Sequence, residues 1–170
     1  MIVLPLRHEL ACSAETYWAC VLDPEYAARL FVGELGFVRY DVLEQRDRVS
    51  NVLRRVRAEP SHKDVPGMLH SMLGYIEESD LDRRRSLYNF RTINEARPGS
   101  VDVRGFIHAQ PLHASRCVRT CEIHINVKAL GLGGWVERRM AEDLTKSYGV
   151  SARFTDWWVA SKEAAEARIH

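Results

Sequence analysis

A chain of 170 residues with a formal net charge of +1 has room for one domain with a sizeable core, and offers no global field to nucleic acid or to an acidic partner. Its cations are skewed to arginine, only Lys63, Lys128, Lys146 and Lys162 being lysines, and Cys12, Cys20, Cys117 and Cys121 lack metal-type pairing. No basic n-region precedes an apolar run, and no segment approaches the ~20 apolar residues of a membrane span, so a soluble, cytoplasmic, thiol-reduced protein is expected.

Met1 to Ala11 reads as a first strand, with Leu4, Leu6, His8 and Leu10 on one face and Arg7 and Glu9 on the other. Ser13 suits an N-cap with Glu15 in the first turn, which predicts a short helix from Ala14 to Leu22. Asp23-Pro24 stops it and opens a second helix, running to about Leu35 and ending near Gly36. Strands are expected from Phe37 to Arg46 (Val38, Tyr40 and Val42 sharing a face), Arg48 to Glu59, Leu73 to Asp80 and Ser86 to Asn94. The last two form a hairpin around Asp82-Arg83-Arg84-Arg85. Pro98-Gly99 marks a turn, and Asp102 to Gln110 and Ser115 to Lys128 make the final strand pair. Gly131-Leu132-Gly133-Gly134 then leads into a helical pattern from about Trp135 to Lys162. The order predicts an α+β fold, a curved antiparallel seven-stranded sheet wrapped around a long C-terminal helix, with two short helices after strand 1. Such a fold is a container, and its function turns on what fills it.

Pro60 to Met72 interrupts this scheme. Val65, Met68, Leu69 and Met72 have the spacing of one helical face. A short lid helix over the container and a buried loop that completes the core are equal readings.

The inward stripe of the long helix runs Val136, Met140, Leu144, Ser147, Ser151, Phe154 and Trp158. Its ends are large and apolar, and its middle is small and polar, with Gly149 between the two serines. Mid-helix space for a ligand is one reading; close approach of a sheet side chain to a thin helix, or a kink, is the other. On the strands, if Cys117, Cys121, Ile123, Ile125 and Val127 point inward, Arg119 goes with them, and Tyr75 shares a face with Glu77 and Ser79. A buried charge needs a partner, and Glu77 with Arg119, Arg91 or Arg55 would supply one, unless these charges lie on the solvated face.

With these elements in place, the chain resembles the START-like superfamily (polyketide cyclase and birch-pollen-allergen-like, or SRPBCC), with its helix-grip fold, and within it a bacterial family of unknown function. The residues that carry this are Leu22-Asp23-Pro24-Glu25-Tyr26, Ala28-Arg29-Leu30, Gly105, the stretch Ile123 to Gly134, Val136-Glu137 and Phe154-Thr155-Asp156-Trp157-Trp158. The resemblance spans nearly the whole chain and implies one START-like ligand-binding domain over residues 1–170. Tyr75-Ile76-Glu77-Glu78-Ser79 and Arg91-Thr92-Ile93-Asn94 also resemble PRELI-type phospholipid-transfer proteins, which implies lipid exchange, with Pro60 to Met72 in the place of a lid loop.

Other chemistry is weakly signalled. Cys117 and Cys121 share a strand face that His124 does not, so buried thiols account for them better than zinc does. The glycine run before the last helix lacks a P-loop lysine and a parallel return strand. No serine sits in a nucleophile elbow. Arg83-Arg84-Arg85 reads as a solvated turn or as a transient contact with anionic lipid headgroups; the second requires it to lie on the side of the Met68-Leu69 lid.

The expected function is binding, and transfer between membranes, of a hydrophobic or amphipathic small molecule, a lipid, held between sheet and helix. Its predicted lining is Val38, Tyr40, Tyr75, Phe90, Ile107, Ile123, Met140, Leu144, Ser147 and Ser151, with Glu77 and Arg119 at the polar end and Met68, Leu69 and Met72 as the lid. No metal, cofactor or nucleic-acid partner is expected. The alternative is a cyclase or hydrolase using Glu77 and His8 in the same cavity, and a third reading is an interaction module with a filled core.

Overall fold

A computed structural model describes residues 1–61 and 73–169. Chain order is β1 (Ile2–Leu10), α1 (Ala14–Leu22), α2 (Pro24–Ala28), a π-helical turn (Arg29–Glu34), β2 (Arg39–Asp47), β3 (Asn51–Glu59), β4 (Tyr75–Asp82), β5 (Leu87–Asn94), β6 (Val101–His113), β7 (Arg116–Val127) and α3 (Gly133–Ala167). The seven strands form one curved antiparallel sheet in the order β1-β7-β6-β5-β4-β3-β2. The expected α+β helix-grip architecture is the one observed. No helix among the described residues is long and apolar enough to cross a membrane.

Local chemistry explains the boundaries. The Ser13 hydroxyl accepts the Thr16 N–H at 3.1 Å and starts α1. Asp23 accepts the Glu25 N–H at 2.8 Å, with Pro24 in the first turn of α2. The second helix differs from expectation after Ala28, where it widens into the π-helical turn before Gly36, at φ +68, ends it. The sheet bends where the register shifts between Val42 and Glu44 and between Pro111 and His113, since an extra residue on one strand increases twist and curvature. Gly105 lies opposite Ile123, where β6 and β7 run so close that a Cβ would collide with the Glu122 carbonyl oxygen.

Helix α3 lies mainly along β1 and β7, at one side of the sheet. Its C-terminal half is tied down by Tyr26 Oη and Thr155 Oγ1 at 2.7 Å and by Asp156, which accepts the Ala11 N–H at 2.7 Å. At its other end, the Glu137 carboxylate accepts the Val127 N–H at 3.0 Å, and that hydrogen bond is the main reason its pKa is lowered.

Candidate functional site

Strand alternation decides what faces α3. The inward rows include Ile2, Leu4, Leu6, His8 and Leu10 on β1, Val52, Arg54, Val56 and Ala58 on β3, Tyr75, Glu77, Ser79 and Leu81 on β4, and Tyr88 and Phe90 on β5. The buried apolar residues divide into two clusters. One, containing Leu10, Tyr17, Trp18, Leu81, Phe154 and Trp158, sits where α1 and the C-terminal half of α3 meet the sheet. The other, containing Val101, Val103, Ile123, Ile125, Val127 and Val136, sits at the opposite end. Phe90 and Ile107 border both and remain only half-buried. Facing them, α3 is buried at Val136 and again at Ser151, Ala152, Phe154 and Thr155, but Met140, Leu144, Ser147 and Tyr148 keep accessible surface. Leu4, Leu6 and His8 do the same on β1. Half-buried apolar side chains therefore lie between two packed clusters and outline a candidate opening among the described residues.

Polar groups line this opening. Glu77, Tyr75 and Tyr148 are half-buried. The Tyr88 hydroxyl donates to Glu77 Oε1 at 2.6 Å. Burial pushes the Glu77 pKa up; the Tyr88 hydrogen bond and the charge of Arg54 pull against it without prevailing. Burial likewise pushes the phenols of Tyr40, Tyr75 and Tyr88 up, with the Glu77 charge adding to each. Burial also pushes the Tyr148 phenol on α3 up.

Arg54 is 3% exposed and Arg119 is 2% exposed, so neither presents its charge to the opening. Arg54 Nη1 donates to the Val21 carbonyl at 3.0 Å. Arg119 donates to Ser151 Oγ and to the Tyr148 carbonyl, each at 2.8 Å, and its Nη2 is 3.3 Å from His8 Nδ1. The Tyr148 and Tyr17 rings lie 5.0 and 5.8 Å from its guanidinium carbon. Among the described residues Arg119 has no carboxylate partner and its Nε has no acceptor. Burial and the Arg119 charge lower the His8 pKa, while burial pushes the Tyr17 phenol up to about 12 despite Arg119.

The structure places the expected lining residues as follows and differs in several particulars. Tyr75, Glu77, Phe90, Ile107, Met140, Leu144 and Ser147 are half-buried, and Ile123 is fully buried. Tyr40 stacks on Phe31 with ring centroids 3.9 Å apart. Val38 is 62% exposed ahead of β2, and Val42 on the same strand is 39% exposed, so the expected apolar face of β2 is largely open. Ser151 is buried and its hydroxyl is engaged by Arg119. Glu77 does not pair with Arg119, Arg91 or Arg55; its neighbours are Tyr88 and Arg54, and Arg55 and Arg91 bind Glu78 on the outer face. A methyl group at Gly149 would meet only the Arg153 side chain, at 3.7 Å, so close approach of a strand does not require glycine there. Met68, Leu69 and Met72 lie outside the described residues. The Arg83–Arg85 turn follows β4 at Asp82. Arg83 is held by Asp47 at 2.7 Å.

Residues 6–159 match the model of a family described as "Protein of unknown function (DUF2505)". The chain belongs to this family. No match was found among curated proteins. Among solved structures the chain is similar to TTHA0849 from Thermus thermophilus, with 10% identity and TM-score 0.68 over 95% of this chain and 99% of that one. It is similar to the Zhui aromatase/cyclase from Streptomyces sp. R1128, with 15% identity and TM-score 0.63 over 99% and 96%. A START superfamily protein from Mycobacterium smegmatis matches with 14% identity and TM-score 0.57 over 89% and 97%. At these identities the likeness is one of fold, and the fold of this DUF2505 member is START-like.

The residues that carried the family resemblance prove to be architectural. Asp23 caps, Tyr26 bonds Thr155, Asp156 anchors Ala11, Glu137 ties α3 to β7, and Gly105 lets two strands approach. Sequence reasoning missed Arg54, Tyr88 and Tyr148. Arg54 interrupts the inward row Val52-Val56-Ala58 and Tyr88 shares the face of Phe90, so alternation alone would have found both. Tyr148 lies four residues after Leu144, but the stripe read from the sequence passes through Ser147 instead.

Proposed function

We propose that this protein binds a hydrophobic or amphipathic small molecule, a lipid, between the sheet and α3. The observation that carries the reading is the division of the core into two packed clusters bridged by half-buried Phe90 and Ile107, opposite half-buried Met140, Leu144 and Tyr148. Filling that opening with apolar surface is favourable by about 25 cal/mol per Å² removed from water, less the cost of ordering the ligand. The START-like fold, shared with a protein titled aromatase/cyclase, is consistent with a guest in this position.

Transfer between membranes is the finer form of the reading, with a cytoplasmic location. The transient membrane contact it needs has a candidate surface in Leu130, Leu132 and Trp135, which are 104%, 44% and 47% exposed at the turn into α3, beside Lys128 and Arg138. A second reading, catalysis of the cyclase or hydrolase type, is favoured by the enclosed Glu77 acid with its raised pKa beside Tyr88. Native mass spectrometry of the purified protein tests the binding claim. A discrete bound species, or uptake of lipid after stripping, is expected. A protein that carries nothing and takes up nothing refutes it. If Glu77→Gln abolishes conversion of the bound species, the catalytic reading gains; if nothing is converted by the native chain, that reading is lost.

A further inference from the structure

The opening contains charge of both signs, and its geometry discriminates between head groups. Among the described residues, the two interior arginines are closed off. Arg119 is 2% exposed and engaged by Ser151, Tyr148 and His8, and Arg54 is 3% exposed and engaged by Val21. Among the described residues, half-buried ionisable groups on the inward faces include His8 on β1, Tyr40 on β2, Tyr75 and Glu77 on β4, and Tyr148 on α3. Among the described residues, the Tyr75 hydroxyl and Glu77 Oε2 have no hydrogen-bond partner, while Oε1 is taken by Tyr88. Arg54 on β3 and Tyr88 on β5 act on Glu77, and both are buried.

We propose that Glu77, with Tyr75, receives the polar end of the ligand, and that this end is uncharged: a hydroxyl or ketone oxygen rather than a carboxylate or phosphate. The inference rests on the binding reading above. A buried anion would lose its hydration and face a carboxyl group and phenols, with no guanidinium open to pair with it. An uncharged oxygen gives up far less on leaving water, and finds in Tyr75 and a protonated Glu77 the donors it needs. Burial favours that protonated form. An organic cation would likewise lose its hydration on entering.

Four amphiphiles with one twelve-carbon chain and different heads make the test: dodecanol, dodecanone, dodecanoate and dodecylamine, each displacing the neutral fluorophore N-phenylnaphthylamine at neutral pH. Dodecanol and dodecanone should bind at least about tenfold more tightly than the other two, a difference of about 1.4 kcal/mol. Glu77→Ala should weaken the neutral probes by about tenfold and shrink their lead over dodecanoate, and Glu77→Gln, which keeps a neutral amide, should retain more of it. Dodecanoate binding as well as dodecanol would mean that a cation opens to the ligand and would overturn the proposal. Preference for dodecylamine would overturn it by showing Glu77 ionised towards the ligand, as would an unchanged ranking in Glu77→Ala. If neither the fluorophore nor any amphiphile binds, the binding reading itself fails, an outcome distinct from a reversed ranking.

Discussion

Truncation of two leucines separates a hollow interior from a solid one. Leu81 is 1% exposed within the cluster that includes Tyr88 and Trp158, whereas Leu144 on α3 keeps accessible surface beside Met140. Leu81→Ala loses both the transfer energy of the removed carbons and a cavity term, about 3 kcal/mol together. Leu144→Ala removes atoms already half in contact with solvent and opens no new void, so only part of the transfer term is lost, about 1 kcal/mol. For a chain of this size each kcal/mol moves Tm by about 2–4 °C, so Leu81→Ala should fall by roughly 6–12 °C and Leu144→Ala by roughly 2–4 °C. Urea denaturation with unchanged m-values provides the free energies. Leu144→Phe sharpens the contrast: in a filled core the larger ring costs about 1–3 kcal/mol, and beside an opening it costs little and displaces ligand. Equal losses for the two alanine variants, or a destabilising Leu144→Phe, would refute the reasoning.

Gly149→Ala should stabilise the protein by about 0.5–1 kcal/mol in urea, because a methyl there meets only a flexible arginine end and helix propensity favours alanine. Gly105→Ala should destabilise by about 1–3 kcal/mol, since the obstructing atom is the Glu122 backbone carbonyl. Glu77 supplies a pH signature. Its pKa is raised from 4.5 in the folded state, so its stabilising contribution is full below 4.5 and is lost as pH rises through the folded value. The stability of the native chain relative to Glu77→Gln should therefore decline with rising pH in urea titrations. A relative stability that increases with pH would show the folded state holding Glu77 as a carboxylate.

The fold was legible because its signals are local. Alternation in Ser115 to Lys128, the Ser13 and Asp23 caps and the glycine run before α3 each place an element without knowledge of its neighbours. The π-helical turn was not, because its widening at Arg29–Glu34 changes hydrogen-bond spacing without a matching change in residue types. The site was legible by face and not by partner. Period two puts Glu77 and Arg119 inside, and the structure agrees, but which groups meet depends on strand order. With β3 beside β4, Arg54 lies near Glu77, while β7 is three strands away from β4 and Arg119 finds Ser151 and Tyr148 on the helix instead. Val38 failed for another reason. It follows the β2 alternation but precedes the point where the helices cover the sheet, and periodicity does not encode where cover ends.

Xenon-pressurised crystals of the ligand-stripped protein test the central claim most directly, since xenon enters apolar voids that water leaves dry. The account predicts xenon between Phe90 and Ile107 on the sheet and Met140 and Leu144 on α3. An interior in which those four side chains interdigitate and admit no xenon would contradict it.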